Sequence, residues 1–212
     1  ADAHGCRVND NCELLPYPYA VQAIYLDNMS SNCFVYGNIV LRGGTGIWVN
    51  MGKNNFIENN VLVDCKWGFR CGAWHPCFPQ MYGFATGNHF CRNIVYRTQS
   101  GAGVYGLSDH GGNDPLERML EQKDANVLFN ADGGEFFVET RRDSGVPGGE
   151  DKQEVPLEDW RQQTGFDSES ILADPLFVDL ANDDYRLKPE SPALKLGFQP
   201  IPIEKIGLKR PR

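Results

Sequence analysis

Along much of the chain apolar and polar residues alternate with a period of two over short stretches. Four stretches align: Ile24-Tyr25-Leu26-Asp27, Ile47-Trp48-Val49-Asn50, Phe69-Arg70-Cys71-Gly72 and Val104-Tyr105-Gly106-Leu107. Their first and third positions are mostly apolar, and the second is aromatic or Arg. Alternation of this kind predicts strands with one set of side chains inside and the other on an outer face. Phe34-Val35, Phe56-Ile57 and His89-Phe90 align as a second strand. A third alignment rests on Asn: Gly37-Asn38-Ile39-Val40, Asn59-Asn60-Val61-Leu62, Arg92-Asn93-Ile94-Val95 and Ala125-Asn126-Val127-Leu128. The aligned asparagines lie 22, 33 and 33 residues apart. Three short strands in about 22 residues describe one coil of a parallel β-helix, an all-β solenoid.

Stacked coils would place Asn38, Asn60, Asn93 and Asn126 one above another at about 4.8 Å. Asn tolerates a left-handed turn, and its amide both donates and accepts, so a ladder of side-chain hydrogen bonds is expected. The same register continues to Arg42, Asp64, Arg97 and Asn130, where we expect a solvated salt-bridge ladder. Each 33-residue spacing carries about 11 residues beyond the basic period. These insertions fall near residues 72–84 and 108–123, and equivalent insertions in a solenoid project from one side and often build a binding wall. In the second, Asp114-Pro115-Leu116 through Glu121 has a capping Asp, Pro at the first helical position and apolar residues at helical spacing, predicting a short helix. The period fades after Asn130. Residues 132–170 are expected to be an irregular excursion with one short helical turn over 158–163, and 171–212 to be closing strands and an extended tail. No strong boundary appears, so 1–212 is expected to be one domain of about four to five coils, with 1–131 the regular part.

The 212 residues are 41% hydrophobic and carry a formal charge of −8. That apolar content excludes disorder, and the acidic balance argues against nucleic acid as a partner. No run approaches the ~20 apolar residues of a membrane span. The chain opens Ala1-Asp2-Ala3 with no targeting segment, and we expect N-terminal coils to precede it. The cysteines, Cys6, Cys12, Cys33, Cys65, Cys71, Cys77 and Cys91, all fall in the first 91 residues. Their odd number predicts buried thiols, with at most one disulfide. Cys71 and Cys77 flank His75, but C-x₃-H-x-C matches no usual zinc spacing and no second pair follows, so no metal is expected.

The segment Ala173-Asp174-Pro175-Leu176-Phe177-Val178-Asp179, then Asp184-Tyr185-Arg186-Leu187, then Ser191-Pro192-Ala193-Leu194-Lys195-Leu196-Gly197 resembles the closing part of secreted bacterial right-handed parallel β-helix proteins. Ala23-Ile24-Tyr25-Leu26-Asp27 and Asn59-Asn60-Val61-Leu62-Val63-Asp64-Cys65 look like that family's repeat units. The resemblance implies a right-handed coil, a secreted or periplasmic setting, and a polysaccharide or oligosaccharide ligand. Relatives of this kind include glycoside hydrolases, polysaccharide lyases and epimerases. No catalytic subfamily's motif matches well enough to transfer residues.

The outward stripe Tyr25, Trp48, Arg70 and Tyr105 is the best local argument for sugar binding, because flat rings with a polar handle suit pyranoses. Asn50 flanks it, and Trp74 and His75 belong to the first insertion. Glycoside hydrolysis needs two carboxyl groups about 5–5.5 Å or 6.5–9.5 Å apart. Asp27 is the first candidate, with Asp109 and Glu117 as partners. A lyase instead needs a base beside an acidic sugar and a cation to neutralise it; Arg70, His75, His110 and Lys53 are available, with calcium entering only in that case. His110 stands out because Asp109 precedes it in a Gly-rich stretch. Hydrolysis of a glycosidic bond in a groove along the coil is the leading expectation, with a lyase or a non-catalytic glycan-binding solenoid as alternatives.

Overall fold

The computed structural model describes residues 21–73, 84–98, 103–109, 116–143 and 150–206. Strands dominate, and most pair in parallel. The first sheet takes β1 (Gln22–Leu26), β4 (Thr45–Asn50), β7 (Trp67–Ala73), β10 (Gly103–Asp109) and β13 (Phe137–Asp143), with antiparallel β14 (Glu150–Pro156) on its edge. The second takes β2 (Phe34–Tyr36), β5 (Phe56–Glu58), β8 (Asn88–Cys91) and β11 (Leu120–Asp124). The third takes β3 (Ile39–Leu41), β6 (Val61–Val63), β9 (Ile94–Arg97), β12 (Val127–Asn130) and β15 (Ile171–Leu172). Through β12 the chain thus returns to each sheet every third strand. Helix α1 (Leu157–Thr164) follows β14, and a hairpin of β16 (Phe177–Asp179) and β17 (Asp184–Leu187) precedes the short α2 (Pro192–Lys195). Among the described residues no helix is long and apolar enough to cross a membrane.

Except on β10, the aligned strands pair as the periodicity predicts. Ile24 lies opposite Ile47 and Ile47 opposite Phe69, while Phe34, Phe56 and His89 succeed one another on the second sheet. Inward residues Ile47, Ile57, Leu62, Phe69, Phe90, Val95, Leu107 and Leu128 form one buried cluster. A second cluster covers the other face of the third sheet. There Val61, Val63, Ile94, Tyr96 and Val127 pack under Phe177, Tyr185, Ala193 and Phe198 of the C-terminal segment. Burial on both faces explains why β6 and β9 read as continuous apolar runs instead of alternating.

The asparagine ladder forms. Asn38 Nδ2 donates to Asn60 Oδ1 at 2.9 Å, Asn60 Nδ2 to Asn93 Oδ1 at 3.0 Å, and Asn93 Nδ2 to Asn126 Oδ1 at 3.4 Å. Each Oδ1 also accepts the preceding asparagine's backbone N–H. The left-handed residue, however, is the one before the asparagine: Gly37, Asn59, Arg92 and Ala125 have φ of 69°, 59°, 53° and 55°. The turn residue bends the chain and the asparagine fills the bend. A second ladder escaped the sequence reading: Asn55 Nδ2 donates to Asn88 Oδ1 at 3.0 Å, and Asn55 Oδ1 accepts the Cys33 N–H at 3.0 Å.

Three expectations fail. Arg42, Asp64 and Arg97 align but make no salt-bridge ladder. Arg42 pairs with Asp183, Asp64 accepts from the Thr98 N–H and hydroxyl, and Arg97, 1% exposed, donates to the Cys65 carbonyl. The insertion helix is reduced to a 3-10 turn over Leu116–Met119, because pairing of β11 with β8 claims Leu120 onward. Tertiary pairing here overrides local propensity. Finally, residues 132–170 hold the strands β13 and β14, so regular structure continues where the repeat pattern fades, while the helical turn expected over 158–163 forms as the two-turn α1. The pattern is masked at Glu139, a strand residue 1% exposed, whose charge is met by Arg141 and Lys152.

Cys33, Cys65, Cys71 and Cys91 are free thiols; Cys6, Cys12 and Cys77 lie outside the described residues. Burial pushes the Cys65, Cys71 and Cys91 thiols up to about 11, 12 and 11. Alkylation of the native protein at pH 8 followed by peptide mapping should therefore label Cys33 well before these three, since the thiolate is the nucleophile. The ladder gives a second prediction. Asn93→Ala strands the N–H and amide of Asn60 in the interior and should cost about 3 kcal/mol in urea unfolding, against under about 1 kcal/mol for Asn38→Ala, the first asparagine of the described ladder. Equal losses would remove the ladder from the account of stability.

Candidate functional site

Outward positions of the first sheet run in two columns across its strands. Tyr25, Trp48 and Arg70 are successive partners, followed by Gly106 and Glu139, with Glu154 opposite on β14. Beside them, Asn50, Gly72, Ser108, Arg141 and Lys152 are successive partners. Asp27 lies immediately beyond β1, next to Asn50.

The first column is closely stacked. The Tyr25 and Trp48 rings lie 4.9 Å apart at 30°, and the Arg70 guanidinium sits 5.0 Å from the Trp48 ring and 4.7 Å from the Trp67 ring. Lys66 lies over the other side of this group, 4.3 Å from Trp67. Cation–π contact of this kind holds a guanidinium in place without consuming all its donors. Trp67 was not anticipated; the Lys66-Trp67 pair three to four residues before Arg70 is its only signal. Ring faces are turned on one another, so the column presents ring edges, not the open faces expected from the sequence. Trp48 Nε1, Trp67 Nε1 and Asn50 Oδ1 are buried without a hydrogen-bond partner among the described residues.

Asn50 organises the end of this face. Its Nδ2 donates to Tyr25 OH at 3.1 Å and Asp27 Oδ1 at 2.9 Å. Burial and the Asp27 carboxylate push the Tyr25 phenol up to about 12, so it remains a protonated donor at neutral pH.

Tyr105 does not belong to the stripe. β10 pairs with β7 in unbroken register from Gly103 opposite Trp67, which places Tyr105 opposite Phe69 and Gly106 opposite Arg70; the register shift between Gly103 and Tyr105 lies on the other side, against β13. Tyr105 is 0% exposed and meets Phe90 edge to face. A one-residue difference from the expected register thus turns the ring from the outer face into the core. Its substitute, Gly106, leaves the backbone bare: a Cβ there would lie 3.1 Å from Arg70 Cγ and 3.4 Å from Trp67 Cδ1.

Beyond Gly106 the face becomes charged, a feature the sequence reading missed. Glu139 accepts from Arg141 Nε at 2.7 Å and Lys152 Nζ at 3.0 Å, and Lys152 also contacts Glu154 at 2.7 Å. Burial pushes the Glu139 carboxyl up, but hydrogen bonds from Arg141 and Lys152 outweigh it and hold the group below the usual carboxylate range. Glu139 is accordingly a fixed anion, unsuited to donating a proton.

The acid set expected for hydrolysis does not assemble. Asp27 follows β1 and Asp109 ends β10, three strand positions away, or about 14 Å. Asp109 is 2% exposed and lies opposite Ala73 and Arg142. Glu117 is half-buried in the 3-10 turn, where its charge acts on Lys123. Lys53 lies 4.8 Å from the Phe84 ring. Trp74, His75 and His110 lie outside the described residues. Among the described residues no three His, Cys, Asp or Glu side chains converge as metal ligands.

No known family model matches the chain. Among curated proteins it is similar to "Uncharacterized protein YwoF" of Bacillus subtilis (strain 168), with 25% identity over 188 residues. The match takes in 70% of this chain and 40% of that protein, so the chain spans about two fifths of the relative's length. No solved structure matches.

Proposed function

We propose that the chain is part of a secreted or periplasmic right-handed parallel β-helix protein that binds an extended glycan along the outer face of its first sheet. Support for the coil comes from strand order: each sheet recruits every third strand in parallel. Parallel crossovers are right-handed in about 98% of cases. The resemblance of the closing segment agrees with its elements, since Ser191 caps α2 and Gly197 follows with φ 89°.

The observation that carries the ligand is the Arg70 guanidinium held between Trp48 and Trp67 beside Asn50 and Asp27. Hydroxyl groups both donate and accept, which suits a face holding the exposed Tyr25 phenol, the Asp27 carboxylate and the half-buried Arg70 guanidinium. Aromatic edges supply apolar contact for sugar C–H groups. Binding without hydrolysis fits this face better than the leading expectation did, because Asp27 and Asp109 are too widely spaced to share a glycosidic bond.

Titration of the protein against a panel of soluble neutral and acidic polysaccharides tests the reading. We expect at least one to bind, with Trp48→Ala and Arg70→Ala each weakening it by about tenfold or more. Phe34→Ala, on the second sheet, should leave affinity unchanged. Gly106→Val, which crowds Arg70 and Trp67, should weaken binding without loss of thermal stability beyond about 2 kcal/mol. A wild type that binds nothing on the panel, or a Phe34→Ala loss equal to that of Trp48→Ala, defeats the proposal. Release of reducing ends by the wild type would restore the hydrolase reading.

A further inference from the structure

Where the three sheets end against α1, the closure is made by polar atoms withdrawn from solvent. Asp167 is 0% exposed, and its Oδ1 accepts from Tyr105 OH at 2.9 Å, Ser170 Oγ at 2.7 Å and Asn126 Nδ2 at 3.3 Å. Asp167 thus takes the side-chain amide of the last ladder asparagine, while Ser170 Oγ accepts that residue's N–H at 3.0 Å. The Asp167 N–H donates to the Lys123 carbonyl at 2.9 Å.

Lys123, 1% exposed, points into a cage of three rings. Its Nζ lies 4.7 Å from the Tyr105 ring and 4.3 Å from both Trp160 and Phe166. Trp160 belongs to α1 and Phe166 to the segment that follows it, so the cage exists only while that cap is seated. Lys123 Nζ, Asp167 Oδ2 and Trp160 Nε1 are all buried without a hydrogen-bond partner among the described residues. Two donors and an acceptor left open in one enclosed place match the needs of a single buried water.

We propose that Lys123 and Asp167, joined through a buried water, form a proton-linked latch that fastens α1 and the segment 165–170 to the end of the sheets, and that it closes most tightly with Lys123 uncharged. The inference is independent of the glycan site. On closure the ammonium loses one proton to bulk solvent, leaving a neutral amine in the cage; opening takes that proton back.

The surrounding charges set the direction. Burial lowers the Lys123 ammonium most strongly and outweighs the opposing pull of Asp167, Glu117 and Cys71, bringing it to about 7 from 10.5. Burial and Asp167 raise the Tyr105 phenol well above its usual value, so it stays a neutral donor. Arg161 of α1 donates to the Ser170 carbonyl at 2.9 Å, adding a fixed positive charge from the cap. On Lys123's own strand, Asp124 is engaged by the Ser168 hydroxyl and the Glu169 N–H. Between about 7 and 10.5 the open state therefore binds a proton that the closed state lacks, and rising pH favours closure. Below about 7 both states carry it and the dependence on pH disappears.

Hydrogen exchange of the α1 amides, corrected for intrinsic rates, reads the opening directly. In the intact chain the opening constant should fall up to about tenfold per pH unit between pH 7.5 and 9.5. Lys123→Met, similar in volume and uncharged, should be less prone to open than the wild type at pH 7 and should show no such slope. Titration of the Lys123 side chain by NMR in the wild type gives a check that needs no variant. A midpoint above 9.5 would mean the rings and Asp167 hold the ammonium, and would overturn the latch. Parallel pH profiles for wild type and Lys123→Met would overturn it equally.

Discussion

The structure depends on satisfying backbone and amide groups at one kind of corner. Between the second and third sheets the chain always turns in two residues, a left-handed one and then an asparagine: Gly37-Asn38, Asn59-Asn60, Arg92-Asn93, Ala125-Asn126. A turn this tight points peptide N–H groups at the neighbouring repeat without a strand to receive them. The asparagine carbonyl oxygen receives one, and its amide reaches a carbonyl on the second sheet, as Asn60 does with Val35 and Asn93 with Ile57. Because a buried unpaired amide costs about 1–3 kcal/mol, this corner cannot change length or lose its residue type cheaply. Every other corner is free to vary, and does.

The site lies where that freedom is used. Both long intervals fall between the first sheet and the second, after β7 and after β10. Asp27 and Asn50 mark the same corner in the earlier repeats, one just past β1 and one ending β4. The invariant corner fixes register, so outward residues on the first sheet stay in column however much chain leaves beside them. Tyr25, Trp48 and Arg70 can therefore stack over a span of three strands. The third sheet is unavailable for such a role, because Phe177, Tyr185 and Phe198 cover its outer face.

Legibility in the sequence followed the same division. The Asn corner, the alternation of β4 and β7 and the stacking order of the second sheet could all be read, since each repeats and each has one physical cause. The register of β10 on β7 could not. Val104-Tyr105-Gly106 fits the alternation in either of two registers, and only the packing of Tyr105 against Phe90 and its bond to Asp167 select the inward one. Arg97 misled for a related reason. A charged residue in register with Asp64 suggests a surface pair, but Arg97 falls on the same inward side of β9 as Val95, where its guanidinium is buried and donates to the Cys65 carbonyl. Residues 132–156 stayed opaque because Glu139, Arg141 and Lys152 neutralise one another, and a neutralised charge in a strand looks like loop composition.

The asparagine ladder ends, beyond Asn126, in chemistry unlike its own, and this gives it direction. Each ladder asparagine donates to the oxygen of the next, so hydrogen-bond acceptors are consumed progressively toward Asn126. The last donors need an acceptor with no donor requirements of its own. A carboxylate meets this: Asp167 takes the Asn126 amide directly, while the Ser170 hydroxyl accepts the Asn126 N–H and donates its own proton to Asp167 Oδ1. An asparagine in place of Asp167 would bring two further N–H donors into a site already holding Tyr105 OH, Trp160 Nε1 and Lys123. The negative charge is thus the natural terminus of a column of amides. Polar groups that repeat in register create an unmet need at their end, and the residues that meet it lie outside the repeat.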